Sequence, residues 1–143
     1  MSEEPSKTSI LIPLSKNIEF SEFVSSVVPL LRFREPSITL FHVIEAPVTS
    51  SLEPAAMNGV VKEFIDWVRP VVEWFEQQKY AVSVKTAVAR SVPDAIVEET
   101  RVAEYAFVFM LKRRRVGIRG HFSRSITQQV TEQSRIPVIS VLV

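Results

Sequence analysis

The chain has 143 residues, 46% of them hydrophobic and 23% charged, and a net charge of +1. That length fits one globular domain with a sizeable core. The absence of cysteine excludes disulfides, thiol catalysis and cysteine metal sites. The balanced charge argues against generic nucleic-acid binding, and no apolar run reaches the roughly 18 residues of a membrane helix.

Residues 1–7 are polar and acidic and read as a flexible lead-in, unlike a secretory signal or a transit peptide. A cytoplasmic chain is expected. Residues 8–14 (TSILIPL) are apolar without alternation, the mark of a strand buried on both faces. A turn follows, with Asn17 as a candidate N-cap. Phe20, Phe23, Val24, Val27, Val28 and Leu31 fall at helical spacing, with Pro29 as a possible stop. Residues 37–44 (SITLFHVI) read as a second strand, and 45–58 as a loop.

Val60, Val61, Phe64, Ile65, Val68, Val71, Val72 and Phe75 mark a longer helix, with a bend expected at Pro70. Trp67 and Trp74, seven apart, share one of its faces and read as core or dimer surface. Residues 80–89 read as an edge strand. Ser91 then caps a third helix, with Asp94 at its third position. Residues 105–111 (YAFVFML) form a fourth, wholly apolar strand. Ser125 to Gln128 reads as a capping box for a last helix, and 137–143 (PVISVLV) as the last strand. Strands and helices thus alternate, which implies a parallel sheet covered on both faces through right-handed crossovers.

Charge is concentrated between the fourth strand and the last helix. Lys112, Arg113, Arg114, Arg115, Arg119 and Arg124 lie within thirteen positions. No acidic residue occurs between Glu104 and Glu132. Without these six of the 17 basic residues, 11 remain against 16 acidic ones, a balance of −5. A strand, a loop and a helix N-terminus form the usual phosphate site of α/β proteins. Glycine is rare here, with only Gly59, Gly117 and Gly120.

Other chemistry finds little support in the residues. No G-x-G-x-x-G follows the first strand, so a dinucleotide site is not expected, and Glu45 reads as a loop acid. His42 and His121 lack companions for a metal site, and His42 reads as a structural histidine. The two aspartates, Asp66 and Asp94, fall on helices. No G-x-S-x-G is present, and no enzymatic activity is expected.

The ordered pieces resemble the universal stress protein family over residues 7–143. ILIPLS at 10–15 looks like the family's first strand, TLFHV at 39–43 like its second, and ARSVPDAIVEET at 89–100 like the helix entry before its fourth. FVFM at 107–110 looks like the run before the family's nucleotide loop, and Ser125-Ile126 followed by PVISV at 137–141 resembles the end of the domain. The resemblance implies an α/β domain spanning 8–143 with a five-stranded parallel sheet in the order 3-2-1-4-5, a Rossmann-like nucleotide-binding architecture. It also implies a homodimer paired through Val138, Ile139, Val141, Leu142 and Val143.

ATP-binding members carry Gly-x-x-Gly, nine residues, then Gly-Ser or Gly-Thr. An ungapped count back from Ser125 places those glycines at Leu111, Arg114 and Arg124, and Ser15 replaces the family's strand-end aspartate. A left-handed backbone at Leu111 or Arg114 costs about 1–2 kcal/mol. The resemblance thus implies a non-enzymatic stress-response module with a degenerate ATP motif and no cofactor. Two alternatives stand beside it. One is a sensor of an anionic nucleotide (ATP, AMP or a cyclic dinucleotide) held by arginine forks. Its candidate contacts are Pro13, Ser15, Val43, Arg113, Arg114, Arg115, Arg119, Arg124 and Ser125. The other is a cytosolic regulatory domain of a membrane transporter.

Overall fold

The computed structural model describes residues 8–15, 19–29, 36–46, 58–112 and 122–142. Five strands and four helices alternate: β1 Ser9–Pro13, α1 Phe20–Val27, β2 Ser37–Glu45, α2 Asn58–Gln77, β3 Ala81–Ala89, α3 Val92–Val102, β4 Phe107–Lys112, α4 Arg124–Gln133 and β5 Val138–Leu142. The strands form one parallel sheet in the order β3-β2-β1-β4-β5. The central strands are buried on both faces, as their unbroken apolar runs predict.

Period-2 alternation divides the core between two layers. Ile10, Ile12, Ile38, Leu40, Phe109 and Leu111 face α1 and α2, where they meet Phe23, Phe64, Val68 and Phe75. Leu11, Phe41, Val43, Val108 and Met110 join the opposite cluster with Ile96, Val97 and Val130 of α3 and α4. Trp67 and Trp74 are half-buried against the first cluster, one of the roles expected of them.

Several boundaries differ from the sequence reading, for local reasons. The N-cap of α1 is Glu19, whose carboxylate accepts from the amides of Ser21 and Glu22 at 3.3 and 2.9 Å. Asn17 is therefore not the cap, and it lies outside the described residues. The α-helix ends at Val27, short of the apolar pattern's last member, Leu31. α2 runs on through Pro70, which is exposed. Ser91 caps α3 as expected, its hydroxyl accepting from the Asp94 amide at 3.4 Å.

A polar cluster ties β3 to α3. The Glu99 carboxylate, nearly buried, receives Lys85 Nζ at 2.8 Å and the Tyr105 hydroxyl at 2.5 Å. Thr39 and Ser83 hydroxyls lie 3.3 Å apart beside it. Burial, then the bond to Glu99, pushes the Tyr105 hydroxyl from 10.0 up to about 12, against an opposing bond with Thr39. The folded state holds the phenol's proton more tightly than the unfolded chain. This contribution to stability is full below pH 10 and is lost as pH rises through about 12.

Candidate functional site

The order 3-2-1-4-5 reverses direction between β1 and β4, so a crevice opens at the carboxyl ends of those strands. The crevice there has a volume of about 340 Å³. Leu14 and Ser15 supply its floor from the end of β1. His42 to Glu45 form one wall at the end of β2, and Phe122, Ser123 and Ile126 form the other.

The floor is held by a side chain. The Leu14 carbonyl can only accept, so the Nδ1 of His42, 2.7 Å away, carries a proton and donates. The His42 ring stacks on Phe64 at 4.5 Å with planes 20° apart, and Trp67 meets its edge at 5.7 Å. His42 is therefore a buried, hydrogen-bonded structural histidine, as expected. Leu14 N also donates to Phe41 O at 2.7 Å, which joins the ends of β1 and β2.

Ser15 Oγ is buried at this floor and has no hydrogen-bond partner among the described residues. A hydroxyl in that state is costly, and a bound donor or acceptor would relieve the penalty. The candidate contacts separate into three groups. Ser15 and Val43 line the crevice. Pro13 is buried in β1 without lining it, and Arg124 and Ser125 are exposed on α4 and are not lining residues. Arg113, Arg114, Arg115 and Arg119 lie outside the described residues, as do His121 and Val143. Phe122, Ser123 and Ile126 were not among the predicted contacts. Phe122, the one aromatic in a basic stretch, was the available signal.

The last helix starts earlier than predicted. Ser123, not Ser125, is the N-cap: its hydroxyl accepts from the Ile126 amide at 3.2 Å. Its carbonyl also accepts from the Thr127 hydroxyl at 3.0 Å. Ser125 is thus already helical. Ser123→Ala should lower stability by about 1 kcal/mol, and Ser125→Ala by no more than about half that, in urea unfolding. Equal losses would contradict the cap assignment.

Leu111 also departs from the expectation. It does not stand at a left-handed turn. It is the fifth residue of β4, 1% exposed, paired with Val141 and packed in the α1–α2 layer. Lys79 is the single non-glycine residue with positive φ among the described residues. The left-handed penalty argued for Leu111 is therefore not incurred. β4 continues through Lys112, and the chain re-enters at Phe122, whose amide donates to Leu111 O at 3.0 Å.

Among the described residues, no group of three or more histidines, cysteines or carboxylates is placed to hold a metal. No described helix is long and apolar enough to cross a membrane.

An open, parallel α/β sheet with its crevice at the β1/β4 switch point is a Rossmann-like fold. Within that class the solved structures place it further. The universal stress protein of Burkholderia pseudomallei superposes with a TM-score of 0.68 at 13% identity, over 94% of this chain and 95% of its own. A universal stress protein family member from Arabidopsis thaliana with AMP bound gives 0.66 at 11% identity, over 94% and 91%. The hypothetical protein MJ0577 gives 0.73 at 19% identity, over 95% and 96%. The structural neighbours across the full length include universal stress protein family members, and the fold is theirs. The sequence matches no protein-family model and no curated protein.

Proposed function

We propose that the chain is a non-enzymatic regulatory module of the universal stress protein type, homodimeric through β5, in which the ATP-binding motif is degenerate. The course of β4 carries this reading. Leu111, at a glycine position of the ungapped motif, is a core strand residue, so the chain at that point presents no bare backbone to a triphosphate. Ser15 stands where a strand-end carboxylate would hold a metal, and its hydroxyl is a poor substitute. Ile139 and Leu142, 40% and 46% exposed, give β5 the apolar edge that a second copy would cover.

A second reading rests on the Ser15 hydroxyl in the crevice, which has no hydrogen-bond partner among the described residues, and on the arginines of the sequence that precedes Phe122. It makes the module a sensor of an anionic nucleotide. A neighbour of this fold has AMP bound, and another is in complex with cAMP. Calorimetry against ATP, AMP, cAMP and cyclic dinucleotides, at low and physiological salt, separates the readings. The degenerate-site reading expects no binding at physiological salt. Micromolar binding that persists there, and weakens in Arg113→Ala/Arg115→Ala, would establish the sensor instead. Light scattering reads the dimer directly, and a monomer at micromolar concentration would refute it.

A further inference from the structure

We infer that the opposite edge of the sheet is a second self-association surface, where β3 pairs antiparallel with β3 of another copy about a twofold axis at Lys85. The observations concern β3 and α2 alone and do not depend on the crevice.

β3 is the other edge of the sheet and spans nine residues, against five in β5. Long edge strands recruit further strands unless guarded, and a mid-strand lysine is the common guard. The central lysine of β3 is Lys85. Its ammonium is drawn back onto α3 by Glu99 at 2.8 Å. The α2 side of the strand carries Val82, Val84, Thr86 and Val88, with Val84 36% exposed.

Beside it a groove of about 450 Å³ runs between α2 and β3. Ile65, Val68, Val72 and Val84 line it, with Ile65 47% exposed. Such an apolar groove along an open edge marks an interaction surface.

A second copy fits this surface in three respects. First, Lys85 is the midpoint of β3, so a twofold axis there sets Val84 opposite Thr86 and Val82 opposite Val88. The two lysines meet on the α3 face, each neutralised by its own Glu99. Second, strands pair about 4.8 Å apart, and α2 lies over β2 and β3. Pairing then brings the two α2 helices to roughly 10 Å, the distance at which helices pack. Third, the groove spans α2 from Ile65 to Glu76 alongside Val84 and Thr86, so the same axis passes between Pro70 and Val71. The helices would run antiparallel across it, and Arg69, which pairs with Asp66 of its own helix at 3.1 Å, would lie beside Glu73 of the other copy. Residues that complement themselves under a twofold axis are the signature of an isologous contact.

The test is sedimentation velocity on the full chain, carrying Ile139→Asp/Leu142→Asp to disable the β5 edge. A concentration-dependent dimer should remain at up to ~300 μM. Arg69→Glu or Glu73→Arg alone should weaken it about tenfold or more, and Arg69→Glu/Glu73→Arg together should restore it. A strictly monomeric parent variant, or a double variant no better than the singles, would overturn the proposal. If wild type and Ile139→Asp/Leu142→Asp form the same dimer, β5 pairing fails and the β3 proposal stands. Cysteine mapping gives an independent readout, since the chain has no cysteine of its own. Mixed Val84→Cys and Thr86→Cys chains should form the hetero-disulfide in preference to either homo-disulfide, and the reverse preference would exclude the register.

Discussion

Leu111→Gly is expected to cost the fold about 4 kcal/mol and to create no nucleotide site. The substitution installs the glycine that the ungapped motif asks for. In the structure it empties a fully buried strand position between β1 and β5. Removing a buried leucine side chain costs about 2–5 kcal/mol, and glycine adds about 1 through the flexibility it gives the unfolded chain. For a domain of this size the melting temperature should fall by about 12 °C. Urea unfolding measures the loss, and thermal shift with ATP measures any gained binding. A mild loss accompanied by micromolar ATP binding would mean that β4 readily gives way to a glycine turn, contrary to the proposed function.

Phe64→Ala should have a comparable effect, about 4 kcal/mol, for a different reason. Phe64 is buried beneath the crevice, stacked on His42 at 4.5 Å and packed edge-on with Trp67 at 4.9 Å. Its loss leaves a cavity and releases the ring that braces the Leu14 carbonyl. Phe64→Leu keeps most of the volume and should lose about 1.5 kcal/mol. Chemical denaturation of the two variants checks the ranking. Equal losses would show that ring stacking, not filled volume, is what matters there.

The elements were legible because their patterns are strong. Unbroken apolar runs in β1, β2 and β4 announced strands covered on both faces, and the burial of these strands agrees. Ser91 and Asp94 announced α3. The start of α4 was not legible. Ser123 and Ser125 are both good caps, and Ile126 and Val130 fall on the same helical face with either one. Periodicity cannot choose between them; the burial of Phe122 and the turn back to Leu111 do. Leu111 was misjudged because a gapless count fixes a residue's place in a motif and says nothing of where the strand ends. Ser15 and Val43 came from the family resemblance, and both line the crevice at the strand ends. His42 and Phe122 line the same crevice, yet one looked purely structural and the other was hidden among cations.

The return of Phe122 to the end of β4 has a consequence for how this protein can change over evolutionary time. The bridge between Lys112 and Phe122 clasps the two ends of the connecting segment, with Phe122 anchored in one layer and Leu111 in the other. Insertions and deletions between Lys112 and Phe122 should leave the sheet registers in place. Longer segments add little closure entropy, about 0.6 kcal/mol per doubling of length. The clasp fixes where the chain leaves the sheet and where it returns, so a change in the length of the sequence between them is expected to cost the domain little stability.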